Sequence, residues 1–480
     1  MPSPPSPLDD SGNLPSIGRD RNSRQAGHPN YLFRRAITVA GVVAAIALGA
    51  IVVGRIVGGD TPAPSSGAVS EQWNRVVLID ERTGLITINN AEGEEQRKIS
   101  TDIRLLADSE VVETTMMAIS PTEVSIFDLE SEAVETVELE TSSDGITRPA
   151  GSALTLIASS EGAQRAVLVH GPTGEQLDTD ALAPSAGARY EFRLARSDPS
   201  GRNVLVTDSG NFQSVLFSFD SDSASFFPGL ALAIDPSFVV TTQNVGSDAT
   251  VRMFNHDGEV AASGVTSSVR AAMIVDDGVI LVTVDGEIVR LSKASGDTES
   301  GDTLEIGTIE NGYVATDGNQ LIVVGSSGTA IINSSGSIQG QYLDTTLSDN
   351  GLDRFAPRRS TCLILVRGSA NEVVLVGLAD GTTIAEAPVS GGLLATADGC
   401  TIAAGTSTGY SLISADGEFS VDDTGDLLAF APDGSALILE RDSRLQLAPV
   451  DPSPEANSGE RTNDSIDLGR DGRQVSFTQL

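Results

Sequence analysis

Aromatic side chains are scarce in this sequence, at 4% of residues, and Trp73 is the single tryptophan. A core must therefore be assembled from Val, Ile, Leu and Ala. Lysine is confined to Lys98 and Lys293, neither preceded by glycine, which excludes a phosphate-binding P-loop. The three histidines, His28, His170 and His256, fall in no H-E-x-x-H or Cys/His cluster, so zinc and haem lack their usual ligands. The two cysteines, Cys362 and Cys400, form no C-x-x-C motif. Positive charge is also short: 30 Lys+Arg against 66 Asp+Glu leaves a formal net charge of -36. Such an excess of carboxylates repels phosphate backbones and anionic lipid surfaces, which excludes nucleic acid as a partner. Basic proteins and cations remain compatible with it. The strong preference for arginine over lysine fits a GC-rich bacterial genome.

One long apolar run is present. Residues 36–53 read AITVAGVVAAIALGAIVV without a charge, and Ile56-Val57 follow Arg55. At 1.5 Å per residue, about 18–20 apolar residues span a bilayer core. The sequence predicts one transmembrane helix over 36–58. Arg19, Arg21, Arg24, Arg34 and Arg35 precede it and acidic sequence follows, so the positive-inside rule places residues 1–35 in the cytoplasm. The competing reading is a cleaved secretory signal, with a mature chain starting near Ala68. The apolar run exceeds the usual h-region of about 7–15 residues, which favours an uncleaved anchor. Residues 1–35 lack apolar periodicity and read as a disordered tail. Residues 59–72 (GDTPAPSSGAVSEQ) read as a Pro/Ser linker.

From Trp73 onward, short Val/Ile/Leu/Thr runs alternate with Asp-Gly, Ser-Gly and Pro turns, and no amphipathic helix is evident. A strand running into a tight turn recurs at Ala118-Ile-Ser-Pro121, Ala195–Pro199, Ala233–Pro236, Val275–Gly278, Ala315–Gly318, Phe355–Pro357, Ala395–Gly399 and Ala429–Gly434, with a weaker copy at Leu156–Ser159. The spacing is close to 40 residues. Second strand–turn–strand units follow, among them VRMFNHDGEV (251–260) and VVLVGLADGTT (373–383). Four short strands per repeat of that length predict propeller blades, which stack because a lone four-stranded meander cannot cover both its faces. The expected fold is an all-β propeller of about eight four-stranded blades, within a range of seven to ten. It occupies 73–450, with 451–480 as a C-terminal tail. Either Arg75–Ile88 or the terminal run 473–480 is expected to close the ring.

AFAPDGSALIL (429–439) and VVLIDERTGLITI (76–88) resemble the strand–turn–strand units of WD40, YVTN-type and quinoprotein-like propellers. The resemblance implies fold and says little of function. The Gly-His and Trp-Asp dipeptides of WD40 repeats are missing, as is the tryptophan docking pattern of quinoprotein blades.

Cys362 (STCLIL) and Cys400 (DGCTIA) follow the first turns of adjacent repeats. A disulfide between them and two buried free thiols are both open, since a bridge needs Cα atoms within about 7 Å. Gly405-Thr-Ser-Thr-Gly409 matches the G-x-S-x-G of hydrolase elbows, but between strands it reads as a turn. His170 and His256 read as turn-packing side chains. The acidic stretches Phe219–Asp222 and Val421–Asp426 lack calcium-loop spacing and read as solvated loops. No catalytic, cofactor or metal residue is assigned. The sequence thus predicts a membrane-anchored, extracytoplasmic interaction platform in the cell envelope, with a protein partner there and the bilayer held through 36–58. A carboxylate-based hydrolase or lyase in the central channel is an alternative, as is a sensor signalling through the N-terminal tail.

Overall fold

The computed structural model describes most of Trp73–Thr478. Residues 1–72, 101–107, 348–360 and 451–464, with several shorter loop stretches, lie outside the described residues. The predicted tail, transmembrane helix and linker therefore lie outside them too. Among the described residues no helix is long and apolar enough to cross a membrane.

The middle strands explain the architecture. RVVLID (Arg75–Asp80), QSVLFS (Gln213–Ser218) and EVVLVG (Glu372–Gly377) each bury four consecutive residues. Alternation would bury one face only; continuous burial means that both faces are covered. Each fully buried Val, Leu or Ile contributes roughly 1.5–3 kcal/mol relative to exposure. Outermost strands show the opposite pattern: TESGDT (Thr298–Thr303) is exposed throughout. Neighbouring blades supply the cover, as in the cluster that joins Val240, Val251 and Met253 to Ala272, Val279 and Leu281.

The chain is a β-propeller of ten antiparallel four-stranded sheets. Blade 1 holds strands 75–80, 85–90 and 95–100, and blades 2 to 10 follow in chain order. Their inner strands are 108–112, 143–147, 196–197, 230–234, 269–275, 309–314, 345–346, 393–395 and 426–430. Turns from the first to the second strand and from the third to the fourth lie on one face, here the lower. Turns from second to third, and the crossovers between blades, lie on the upper face.

Ten blades correct the expected eight. The motif that sets the count marks the first-to-second-strand turn in blades 4 to 7, 9 and 10, and its copy at Phe355–Pro357 lies outside the described residues. Ala118–Pro121 and Leu156–Ser159 run through the second strands of blades 2 and 3 towards their second-to-third turns. Blade 1 has no such turn, because its inner strand comes from the other end of the chain: Gln474–Thr478 pairs antiparallel with Arg75–Asp80. Ile466–Gly469 forms the outer strand of blade 10. The propeller therefore extends beyond residue 450 into the segment read as a tail.

The seam is built around the lone tryptophan. Trp73 Nε1 donates to Ser435 Oγ at 2.9 Å in blade 10, and its ring meets Phe477 edge-on at 4.7 Å. Beneath it, Val76 and Leu78 pack with Ala431, Ile438 and Leu447.

Candidate functional site

Cys362 opens the second strand of blade 8, and Cys400 lies in the first-to-second turn of blade 9. They form a disulfide with Cα atoms 5.1 Å apart, joining the two blades at the lower face. The Cys362 backbone N–H also donates to the Asp398 carbonyl at 3.3 Å. The bridge is structural, since Cys362 is buried among Ile364, Val373 and Leu375.

The other sequence candidates fall apart in space or serve packing. Gly405 and Gly409 flank a turn between strands Ile402–Gly405 and Tyr410–Ser414, closed by Thr406 N–H to the Gly409 carbonyl at 2.9 Å. No strand-to-helix elbow exists there. In the Phe219–Asp222 stretch, Asp220 is paired with Arg202. Of Val421–Asp426, residues 422–424 lie outside the described residues. Arg97, beside a shallow cavity between blades 1 and 2, donates to the carbonyls of Leu129 and Glu130. Among the described residues no group of three His, Cys, Asp or Glu side chains is placed to hold a metal.

His170 and His256 lie in the third strand of blade 3 and the third-to-fourth turn of blade 5. His170 is buried, with Nε2 3.1 Å from the Ser200 carbonyl of blade 4 and Nδ1 2.9 Å from Thr173 Oγ1. A carbonyl only accepts, so Nε2 carries the proton and the neutral ring accepts from Thr173. Burial holds the His170 pKa below its ordinary value; Arg202 adds to this, while the Ser200 carbonyl, Glu175 and Asp198 oppose it. A lowered histidine pKa leaves stability unaffected above the unfolded value of about 6.5 and reduces it below that, where the unfolded chain binds the proton first. Denaturant unfolding at pH 7.5 and 5.5 should show a larger acid loss in the wild type than in His170→Gln. Equal losses would mean that this ring contributes nothing to the slope.

The feature that departs most from a packing role is the upper end of blade 4. Residues 179–195, between Asp178 and the short inner strand Arg196–Ser197, form a crossover with a helical turn at Thr179–Leu182 and a 3-10 turn at Phe192–Leu194. Tyr190 anchors it from within. Its ring is fully buried against Phe192 and Phe217, and its hydroxyl donates to the Ala183 carbonyl at 2.9 Å. Burial, with Asp208 and Asp180 nearby, pushes the phenol up to about 12.

Asp208, also fully buried, ties this crossover to the second-to-third turn of the blade. Its Oδ1 accepts from the backbone N–H groups of Arg189 (2.9 Å), Gly210 (3.1 Å) and Asn211 (3.3 Å). Its Oδ2 accepts from the side chains of Asn211 (2.7 Å) and Gln213 (3.1 Å). Burial pushes this carboxyl up, but the donors from Arg189, Asn211 and Gln213 outweigh it and hold the pKa below the ordinary value.

That clamp leaves Phe212 at φ +53°. A bulky side chain in the left-handed region costs on the order of 1–3 kcal/mol and persists only where its surroundings over-determine it. The side chain so placed is not used for packing: Phe212 is 76% exposed. Leu194 at 58% and Phe226 at 48% stand on the same blade. Leu194 closes the crossover, and Phe226 pairs with Val215 two residues from the upper end of the outer strand. Isolated apolar surface residues are ordinary, but Phe212 is set apart from them by the backbone cost at which it is held. Sequence reasoning missed Phe212: the Ser-Gly-Asn before it is a turn signal, but it does not tell which residue takes the left-handed conformation.

No protein-family model matches the chain, and no curated protein matches it. Among solved structures, BamB from Moraxella catarrhalis is 13% identical over 65% of this chain and 94% of that chain, with a TM-score of 0.36. Apo AztD from Citrobacter koseri is 12% identical over 66% and 95%, with a TM-score of 0.34. A eukaryotic initiation factor is 12% identical over 85% of this chain and 99% of that one, with a TM-score of 0.47. None of these likenesses reaches a level that bears on function.

Proposed function

We propose that this chain is a membrane-anchored docking platform of the bacterial cell envelope, held through residues 36–58 with the propeller on the outer side. It takes a protein partner at the upper end of blade 4. The observation that carries the reading is Phe212, whose strained backbone displays an apolar ring to solvent. The apolar run and the arginines before it support the anchor and its orientation. The partner's chemistry follows from charge: its patch has an apolar recess for Phe212, Leu194 and Phe226, rimmed by Lys or Arg that complement a surface of net charge -36.

The test is crosslinking on intact cells with a membrane-impermeant reagent, followed by mass spectrometry, comparing the wild type with Phe212→Gly. Glycine adopts positive φ freely, so the variant should be as stable as the wild type or up to about 1 kcal/mol more stable. Its partner recovery should fall at least about tenfold, as loss of a central aromatic anchor worth about 1.4 kcal/mol or more requires. Equal recovery from both proteins would remove the blade 4 surface as the docking site. A domain that reacts only in broken cells would remove the outward orientation.

A further inference from the structure

The inner strand of blade 4 is two residues long, and its first residue reaches across the ring. Arg196, held to Ala150 of blade 3 by a parallel bridge, reaches past blades 5 and 6. Its Nη1 donates to the carbonyl of Gly312 on the inner strand of blade 7, at 2.9 Å. One hydrogen bond therefore links the inner strands of blades 4 and 7. Gly312 makes this approach feasible, because a Cβ there would lie 2.2 Å from the Cβ of Ala271 in blade 6. Beside it, Asn311 Nδ2 donates to the Tyr313 hydroxyl at 2.9 Å.

What the guanidinium lacks, among the described residues, is a carboxylate. Its Nε is closed to solvent and has no hydrogen-bond partner. Burial pushes its pKa down, and Tyr313 opposes the shift. Arg148 is paired with Glu110 at 2.7 Å and Arg193 with Asp144 at 3.2 Å, while Arg270 on the inner strand of blade 6 is exposed to solvent. Glu310, two residues before Gly312, is exposed and forms no ion pair with Arg196. A chain with 66 acidic residues and 30 basic ones thus leaves a desolvated cation unpaired, which is costly unless something else supplies the charge.

We propose that Arg196 is the recognition group of a ligand site in the central channel and that its ligand presents a carboxylate. The Nη2 group and the second N–H of Nη1 form the end of the guanidinium that a carboxylate accepts in bidentate fashion. A singly charged carboxylate suits the site better than a phosphate dianion, because the surrounding field is strongly negative. The inference stands independently of a partner on blade 4.

The test is thermal unfolding of the wild-type propeller in increasing sodium acetate, with ionic strength held constant by sodium chloride. The expected result is a saturable rise in transition temperature, absent in Arg196→Met and retained in Arg290→Gln, a surface change in blade 6. Arg196→Lys keeps the charge and loses the planar fork, so its half-saturating acetate concentration should rise at least about tenfold. Glycylglycine tested against its C-terminal amide separates a peptide carboxylate from a free small acid: tighter saturation by the free-acid dipeptide than by acetate assigns the peptide. No saturable rise in the wild type, or the same rise in Arg196→Met or Arg196→Lys, would overturn the proposal and leave Arg196 as a structural strut.

Discussion

A chain ending at Arg470 should lose cooperative folding. Residues 474–478 are the inner strand of blade 1, and they close the ring from the far end of the sequence. Their removal deletes five paired positions. It strips Phe477 from the Trp73 seam and leaves Arg75–Asp80 as an open edge at the axis. A ladder hydrogen bond contributes about 0.5–1.5 kcal/mol net, and loss of a packed phenylalanine about 3–5 kcal/mol. The sum rivals the whole net stability of a typical domain, about 5–15 kcal/mol. The exposed edge also offers a template for pairing with other chains. The truncated protein should therefore elute as aggregate and give no single thermal transition. Phe477→Ala is the milder counterpart and should lower the unfolding free energy by about 3 kcal/mol, read from denaturant midpoints at unchanged slope. A truncated chain that stays monomeric with a wild-type transition would show that the seam holds without its closing strand.

The same seam shows what a sequence can and cannot convey. Period-40 spacing and turn chemistry made the propeller legible, because every blade solves the same burial problem with the same four strands. Counting blades demanded more. The turn that marks a blade falls between inner and second strands in most of the ring, but in blades 2 and 3 the matching residues sit in the second strand, and blade 1 takes its inner strand from the other end of the chain. The Cys362–Cys400 pair was legible as neighbouring repeat positions, yet only the three-dimensional distance separates a bridge from two thiols. The Arg196–Gly312 contact had no signal at all: it joins residues 116 apart whose neighbours in sequence carry unrelated motifs. Phe212 lay in between, since Gly-Asn announces a turn while the Asp208 clamp that sets the backbone also needs the Arg189 backbone N–H of the distant crossover.

Cys362→Ala with Cys400→Ala should cost about 2–4 kcal/mol, and the reason lies in the inner strand of blade 8. That strand, Thr345–Thr346, pairs with Arg367 and Val366 only. Most blades present five or six residues there. Blade 8 therefore faces the axis with little ladder of its own, and its second strand begins at Cys362 after a long connection. The disulfide fastens that beginning to the first turn of blade 9. Closing a loop of sequence separation 38 removes chain entropy worth about 4 kcal/mol in the unfolded state, an upper figure because native-state strain subtracts from it. Denaturant unfolding of the wild type under reducing conditions should coincide with that of the double variant, and both should precede the oxidised wild type. If all three midpoints agree, blade 8 is held by its apolar clusters alone and the bridge is dispensable. Blade 4 has the other two-residue inner strand of the ring, and there the Arg196 guanidinium spans to blade 7 instead. Where the inner ladder is shortest, the ring carries a staple of another chemistry. The covalent one at blade 8 completes itself; the hydrogen-bonded one at blade 4 leaves guanidinium donors unsatisfied, and the ligand proposed for Arg196 would complete it.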